Sequence, residues 1–296
     1  MAENVRHTFL AGLEFRPDEF QIQAFDALDR GHNVLVSAPT GSGKTLVATY
    51  AIACSLAVSG RAFYTTPIKA LSNQKFMELV AQHGQADVGL LTGDTSINPD
   101  ASILVMTTEV LRNMIYSRST SLKNLHTVVL DEVHFIQDAF RGPVWEEVII
   151  HLEPEVRLVC LSATVTNAEE VGQWLTNVRG PTVPIVERHR PVPMDHLYMV
   201  GDKRSHDARV FTLEKGGHSN KELLQFLESS SSRRPADRRR TSRFFPPSRI
   251  EVVDELKRRD LLPCIYFVFS RNQCDESAES LRRAGMRLTC DGEARA

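Results

Sequence analysis

Ala38-Pro39-Thr40-Gly41-Ser42-Gly43-Lys44-Thr45 follows the apolar run Asn33-Val34-Leu35-Val36 and opens a stretch rich in Ala, Val and Leu. A strand, a glycine-bearing turn and a helix in that order read as a phosphate-binding loop. Gly41 and Gly43 let successive backbone N–H groups converge on phosphate oxygens, the following helix offers its positive N-terminal end, and Lys44 adds a mobile point charge. Ala38, Pro39, Thr40 and Ser42 complete the loop, and Thr45 offers a hydroxyl to Mg²⁺. A Gly-Lys-Thr string alone is a weak signal, and its weight comes from the strand before it and the helix after it. The expectation is a nucleoside triphosphate site.

Outward from this loop, short β-branched runs alternate with stretches of helical spacing as far as about residue 186, the pattern of βαβ units around a parallel sheet. The expected strands are Asn33–Val36, Arg61–Thr65, Asp87–Leu91, Ser102–Thr107, Thr127–Asp131, Arg157–Ser162 and Thr182–Ile185. Helices are expected over Thr45–Ser59, Ile68–His83, Thr108–Tyr116 and Glu169–Leu175. Val128-Val129-Leu130 is continuous apolar strand, as buried parallel strands are, and it ends in Asp131-Glu132-Val133-His134 at the edge where open α/β sheets bind ligands. Asp131 there suits Mg²⁺ held through water, and Glu132 suits orienting and deprotonating an attacking water. Ser162-Ala163-Thr164 ends another apolar strand with two hydroxyls able to bridge neighbouring loops; alone it is only a turn.

The 296 residues are 42% hydrophobic and 24% charged, which excludes a disordered or collagen-like chain and allows about two domains. A formal net charge of −2 leaves nucleic-acid binding to local clusters of Lys and Arg. Five cysteines without a CxxC pair suit reduced thiols, with Cys54, Cys160 and Cys264 expected in the core. No secretory signal and no apolar run of spanning length is present, so a soluble cytoplasmic protein without a membrane partner is expected.

After Leu227 the composition changes. Residues 228–249 hold a serine run, Arg233-Arg234, Arg238-Arg239-Arg240 and Pro246-Pro247, and read as a mobile basic linker or as a nucleic-acid-binding arm. A helix Ile250–Arg259, a strand Cys264–Phe269 and a helix Arg271–Ala284 then suggest the opening of a second α/β domain.

The ordered set of motifs resembles the Ski2-like (DEVH-box) superfamily 2 RNA helicases, a group that includes the Mtr4 and Ski2 enzymes and an actinobacterial branch, across roughly residues 10 to 200. Phe15-Arg16-Pro17-Asp18-Glu19-Phe20-Gln21 looks like the group's adenine-recognition segment, which implies stacking by Phe15 and base-edge hydrogen bonding by Gln21; an ordinary helix start fits the same residues. Tyr64-Thr65-Thr66-Pro67-Ile68-Lys69-Ala70-Leu71-Ser72-Asn73-Gln74-Lys75-Phe76 resembles its motif Ia. The resemblance implies that Pro67, Lys69, Gly93-Asp94, Thr107-Thr108-Glu109 and Arg112 grip the sugar-phosphate backbone of one strand. Against that, Lys69 also reads as a solvated lysine and Thr108 as a helix cap, and Arg112 and Arg141 are equally open. His134, Ser162 and Thr164 are implied to couple the nucleotide site to an opposing domain.

The resemblance implies an α/β fold, a RecA-like parallel sheet with helices on both faces over residues 1–199, a connector and linker over 200–249, and the start of a second RecA-like domain over 250–296. It implies ATP and Mg²⁺ as ligands, with Asp131, Glu132 and Lys44 catalytic, and single-stranded RNA, or DNA, as partner. Helicase or RNA-decay complex partners are left unassigned. Ile265-Tyr266-Phe267-Val268-Phe269-Ser270-Arg271 resembles motif IV, and the sequence stops before any candidate for motifs V and VI, so a truncated helicase with impaired hydrolysis is expected. A non-catalytic nucleotide- or strand-binding module and a DNA translocase are the competing readings.

Overall fold

Alternation inside single strands builds the core. In β1 (Asn33–Ser37), Val34 and Val36 enter one apolar cluster and Leu35 the other, so both faces of the strand are covered. The computed structural model describes residues 2–164, 167–202, 207–228 and 244–286, in two units, Met1–Val192 and Pro193–Ala296.

The first unit begins with α1 (Ala2–Ala11) and α2 (Glu19–Asp29) before β1. It continues through α3 (Thr45–Ala57), β2 (Arg61–Thr66), α4 (Lys69–His83), β3 (Val88–Leu91), β4 (Ser96–Ile97), β5 (Ile103–Thr107) and α5 (Thr108–Tyr116). Then come β6 (Leu125–Leu130), a short 3₁₀ turn Val133–Gln137, α6 (Gly142–His151), β7 (Arg157–Ser162), α7 (Ala168–Arg179) and β8 (Thr182–Val186). The sheet order is β4-β3-β5-β2-β6-β7-β1-β8, parallel throughout except for the antiparallel edge pair β3 and β4. One face is covered by α2, α3 and α4 through Phe25, Tyr50 and Phe76, the other by α5, α6 and α7 through Leu111, Trp145 and Leu175. Tyr50, Phe25, Phe63 and Trp145 are fully buried; each such aromatic removes enough apolar area from water to contribute about 4–6 kcal/mol before entropy is counted. The α/β parallel sheet with helices on both faces is therefore as expected, and the seven expected strands form with ends shifted by a residue or two.

In the second unit β9 (Leu197–Asp202) lies between β10 (Asp207–Thr212) and β13 (Phe244–Phe245), both antiparallel to it. A small hairpin, β11 (Glu214–Lys215) and β12 (His218–Ser219), leads into α8 (Lys221–Glu228). Val200, Phe211 and Leu223 form its core, with Phe226, Leu227 and Phe244 packed against them. Residues 200–202 and 207–228, expected to be connector, thus fold, because Val200, Phe211 and Leu223 give them a core that their polar composition concealed. The basic run at 229–243 and Cys290 lie outside the described residues.

Two helices of this unit form where expected, α9 (Arg249–Arg258) and α10 (Arg271–Arg283). Ser248 caps the first, accepting from the Glu251 amide at 3.2 Å while Glu251 reaches back to the Ser248 amide at 2.7 Å. The strand expected over Cys264–Phe269 does not form: no strand among the described residues pairs with it, and Ile265, Phe267 and Phe269 are exposed. β-Structure needs a ladder partner, and apolar composition alone does not supply one. Cys264 is correspondingly exposed, against the expectation of a core residue, whereas Cys160 is fully buried and burial pushes its thiol up to about 12.

Candidate functional site

Because β2, β6, β7 and β1 are neighbours and parallel, their C-terminal ends stand side by side. That places Thr66, Asp131, Ser162 and Ala38 along one edge, although they come from four distant parts of the chain. The edge is tied together by backbone bonds: the Ala38 amide donates to the Ser162 carbonyl at 3.1 Å, and the Asp131 amide to the Thr65 carbonyl at 3.0 Å. The Ser37 hydroxyl donates to the Ala163 carbonyl at 3.3 Å.

The loop between β1 and α3 has the conformation its glycines predict. Gly41 and Gly43 adopt φ of +85° and +79°, and a Cβ on Gly43 would stand 2.9 Å from Gln21 Nε2. Gln21 is buried; its Nε2 donates to the Gly43 carbonyl at 2.9 Å and its Oε1 accepts from the Asp18 amide at 2.8 Å. Both ends of the amide are engaged with protein, so Gln21 clips α2 to the loop, a contact the base-edge role did not anticipate. Phe15, just before α2, is 58% exposed and open for stacking. Lys44 is buried, while Thr40 and Thr45 face solvent. The hydroxyls of Ser42 and Ser162 are buried without a hydrogen-bond partner in the protein.

Asp131 and Glu132 close the other side. The Tyr64 hydroxyl donates to Asp131 Oδ2 at 2.7 Å, and the Glu132 amide to Asp131 Oδ1 at 2.9 Å. Burial first, and the Asp131 charge second, raise the Tyr64 hydroxyl well above its ordinary pKa, so it remains a donor. Glu132 sits at φ 52°, ψ 42°, a left-handed conformation that costs a non-glycine residue on the order of 1 kcal/mol and is common at functional sites. His134 Nδ1 lies 3.3 Å from Glu132 Oε2 and 3.5 Å from the Ala163 amide. One nitrogen cannot serve both: bare Nδ1 accepts from the Ala163 amide, whereas Nδ1–H donates to Glu132. Through Ala163, His134 touches the Ser162-Ala163-Thr164 segment, of which Thr164 is exposed.

The loop and the carboxylates share a cleft of about 460 Å³, lined by Thr40, Gly41, Gly43, Lys44, Thr45, Asp131 and Glu132 and, from β2 and α4, by Thr66, Leu71, Gln74 and Lys75. A larger hollow of about 720 Å³, at Tyr116, Arg118 and His151, lies at the opposite ends of the strands and carries none of these groups. The unpartnered buried hydroxyl of Ser42, the two glycines and Lys44 fit a polyphosphate, and the hard oxygens of Thr45 and Asp131 fit Mg²⁺, which takes one or two carboxylates and completes its octahedron with water and phosphate. No group of three or more His, Cys, Asp or Glu residues able to hold a metal occurs among the described residues.

The residues expected to grip a strand divide. Lys69 and Gly93 are exposed, with Lys69 Nζ held by Asp94 at 2.6 and 2.7 Å. The Pro67 carbonyl accepts from Arg141. Arg112 bonds Asn113 Oδ1 at 3.1 Å and lies 3.8 Å from Glu147. Thr108 departs from expectation: it is fully buried, and its hydroxyl donates to the Thr66 carbonyl at 3.3 Å, fastening α5 to the end of β2. Gln74 and Lys75, which line the cleft, and Tyr64, which supports Asp131 from behind, were not singled out as nucleotide-site residues from the sequence, since all three fall inside a stretch whose resemblance pointed to strand contact; helical spacing after β2 was the available signal for the first two.

A family profile described as DEAD/DEAH box helicase matches residues 18–171. Among curated proteins the chain is 48% identical to "Probable helicase HelY" of Mycobacterium tuberculosis, over 96% of this chain and 33% of the relative. It is 38% identical to "DExH-box ATP-dependent RNA helicase DExH15 chloroplastic" of Arabidopsis thaliana, over 94% and 27%, and 40% identical to human "Superkiller complex protein 2", over 90% and 22%. The chain thus spans about a third or less of the curated relatives it matches. Of solved structures, the helicase MrfA bound to DNA matches with TM-score 0.52 at 26% identity, over 62% of this chain and 29% of that one. No helix among the described residues is long and apolar enough to cross a membrane.

Proposed function

The chain belongs to the DEAD/DEAH box helicase family, in its Ski2-like branch, and on that premise we propose that it carries the ATP-binding half of an RNA-directed helicase motor. The observation that carries this reading is the shared cleft, in which the loop residues Gly41–Thr45 face Asp131 and Glu132. Backbone amides of the loop and Lys44 bind the phosphates, and the N-terminus of α3 adds its dipole. Thr45 and Asp131 hold Mg²⁺, which neutralises charge that builds on the phosphate oxygens. Glu132 orients a water and accepts its proton at the carboxylate. Tyr64 keeps Asp131 in place from behind. Phe15 stacks on the adenine, and Gln21 transmits occupancy of the base site to the Gly43 carbonyl.

Strand contact is assigned to Lys69, Gly93, the backbone around Pro67, and Arg112, whose cations and backbone groups suit phosphates and are blind to base identity. Of the three relatives' names one states RNA and two name no nucleic acid, and the MrfA structure holds DNA, so a DNA translocase is the second reading. Strand translocation and any RNA-decay partners belong to the proposal for the whole-length protein. The proposed compartment is the cytoplasm.

The test is steady-state ATP turnover by this chain with and without single-stranded RNA or DNA, with Glu132→Gln as the control. Turnover that RNA stimulates and E132Q abolishes supports the motor reading. Nucleotide binding without turnover above the control supports a binding module instead, and equal stimulation by DNA favours the translocase.

A further inference from the structure

We propose that Lys75 is a second cation for the terminal phosphate of the bound nucleoside triphosphate, supplied by α4 from the side of the cleft opposite the phosphate loop; this rests on the ATP reading above. The sheet order decides the geometry. β1, which feeds the phosphate loop, and β2, which feeds α4, lie on opposite sides of β6, whose end carries Asp131 and Glu132. A phosphate chain that starts at the loop and ends beside Glu132 therefore brings its last group toward α4. Lys75 lines that part of the cleft together with Thr66, Leu71 and Gln74.

Lys75 is not an ordinary solvated lysine. Its side chain is only 13% exposed, its ammonium lies 5.4 Å from the centre of the Tyr64 ring, and Glu78 pairs with it at 2.5 Å. Tyr64 is the residue whose hydroxyl holds Asp131. One aromatic ring thus supports both the Mg²⁺ carboxylate and the second lysine. Glu78 acts as the resident counter-ion, one turn further along α4, which a phosphate oxygen can replace without leaving the ammonium unpaired. Lys69 lies six positions earlier, about 120° round the same helix at ~100° per residue, and points its charge elsewhere, to Asp94. α4 therefore carries a nucleotide-facing and a solvent-facing lysine on one rigid rod.

The prediction is discrimination between nucleotides that differ by one phosphate. ADP and the non-hydrolysable triphosphate AMP-PNP, each with Mg²⁺, are titrated into the 296-residue chain by calorimetry, for wild type, Lys75→Met and Lys75→Arg. Lys75→Met keeps the apolar stem over Tyr64 and removes the charge; it weakens AMP-PNP by about tenfold, the worth of one charge-assisted contact, and leaves ADP within about twofold. Lys75→Arg, which keeps charge, packing and fold, retains most of the AMP-PNP affinity. Equal weakening of both nucleotides by Lys75→Met, or weakening of neither, overturns the assignment and leaves Lys75 as a helix pair with Glu78. A wild-type chain that binds neither nucleotide overturns the ATP reading itself, and the assignment with it.

Discussion

Arg141 donates to Glu109 Oε1 at 2.8 Å, and the same guanidinium nitrogen reaches the Pro67 carbonyl. Its carbon also lies 5.7 Å from the ring centres of both Phe135 and Trp145. One side chain therefore joins the end of β2, the first turn of α5 and the turn that follows Asp131-Glu132. Arginine suits this place because its planar fork divides hydrogen bonds between two acceptors while its face stacks on rings. Lys keeps the charge but is a compact, non-planar ammonium that cannot lay a flat face on Phe135 and Trp145 while reaching both acceptors, so Arg141→Lys is expected to destabilise the first unit by about 1–2 kcal/mol, the worth of a charged hydrogen bond partly exposed to water. Urea denaturation checks this. An unchanged midpoint would show that the fork contributes nothing to the fold.

The Lys69–Asp94 contact holds a proposed strand-gripping lysine against an internal carboxylate. The Lys69 hydrogen bond, then that of Thr92, keeps the Asp94 carboxyl below its usual range. A depressed carboxylate contributes its contact above the ordinary carboxylate pKa and loses it as pH falls through the lowered value, so the lock is closed at neutral pH. Asp94→Asn should release Lys69 and tighten single-stranded RNA by about threefold at low salt, with a salt slope steeper by about one unit. Fluorescence anisotropy at several salt concentrations measures both, and weaker binding by Asp94→Asn would make Asp94 itself a strand contact.

The parallel sheet was readable because its strands are buried on both faces, and Val128-Val129-Leu130 or Leu158-Val159-Cys160 leave no polar residue to blur the run. The phosphate loop and the carboxylates were readable because they are contiguous in sequence. What escaped was set by tertiary partners. The α6 helix, which is not among the expected helices, begins at Gly142-Pro143 and is fixed by Val144, Trp145, Val148 and Ile149 in the second cluster. Residues 264–269 have strand composition and no ladder partner among the described residues. Lys75 belongs to the cleft only because β2 and β6 are neighbours, a fact of topology that no local pattern contains.

Thr108 supplies a direct test of the strand-contact set. Its buried hydroxyl serves the Thr66 carbonyl, so Thr108→Val should cost about 1 kcal/mol of stability, the price of a lost neutral hydrogen bond. RNA affinity of the folded variant should not change. A fall in affinity at unchanged stability would restore Thr108 to the strand-binding residues.

Gly41 and Gly43 share a left-handed conformation and differ in surroundings. A Cβ at Gly41 meets nothing within 4 Å, whereas one at Gly43 stands 2.9 Å from Gln21 Nε2. Alanine at either place carries the left-handed penalty of about 1–2 kcal/mol. At Gly43 it also pushes on the amide whose Nε2 donates to the Gly43 carbonyl, and Gln21 is buried and cannot swing clear. Gly43→Ala should therefore weaken ADP binding by about tenfold or more beyond Gly41→Ala, because loop geometry and the Gln21 clip fail together. Both variants should keep the sheet, since neither glycine contributes to either apolar cluster. Calorimetric titration with ADP separates them. Equal losses would mean that the clip does not shape the loop, and that conformation alone makes Gly43 necessary.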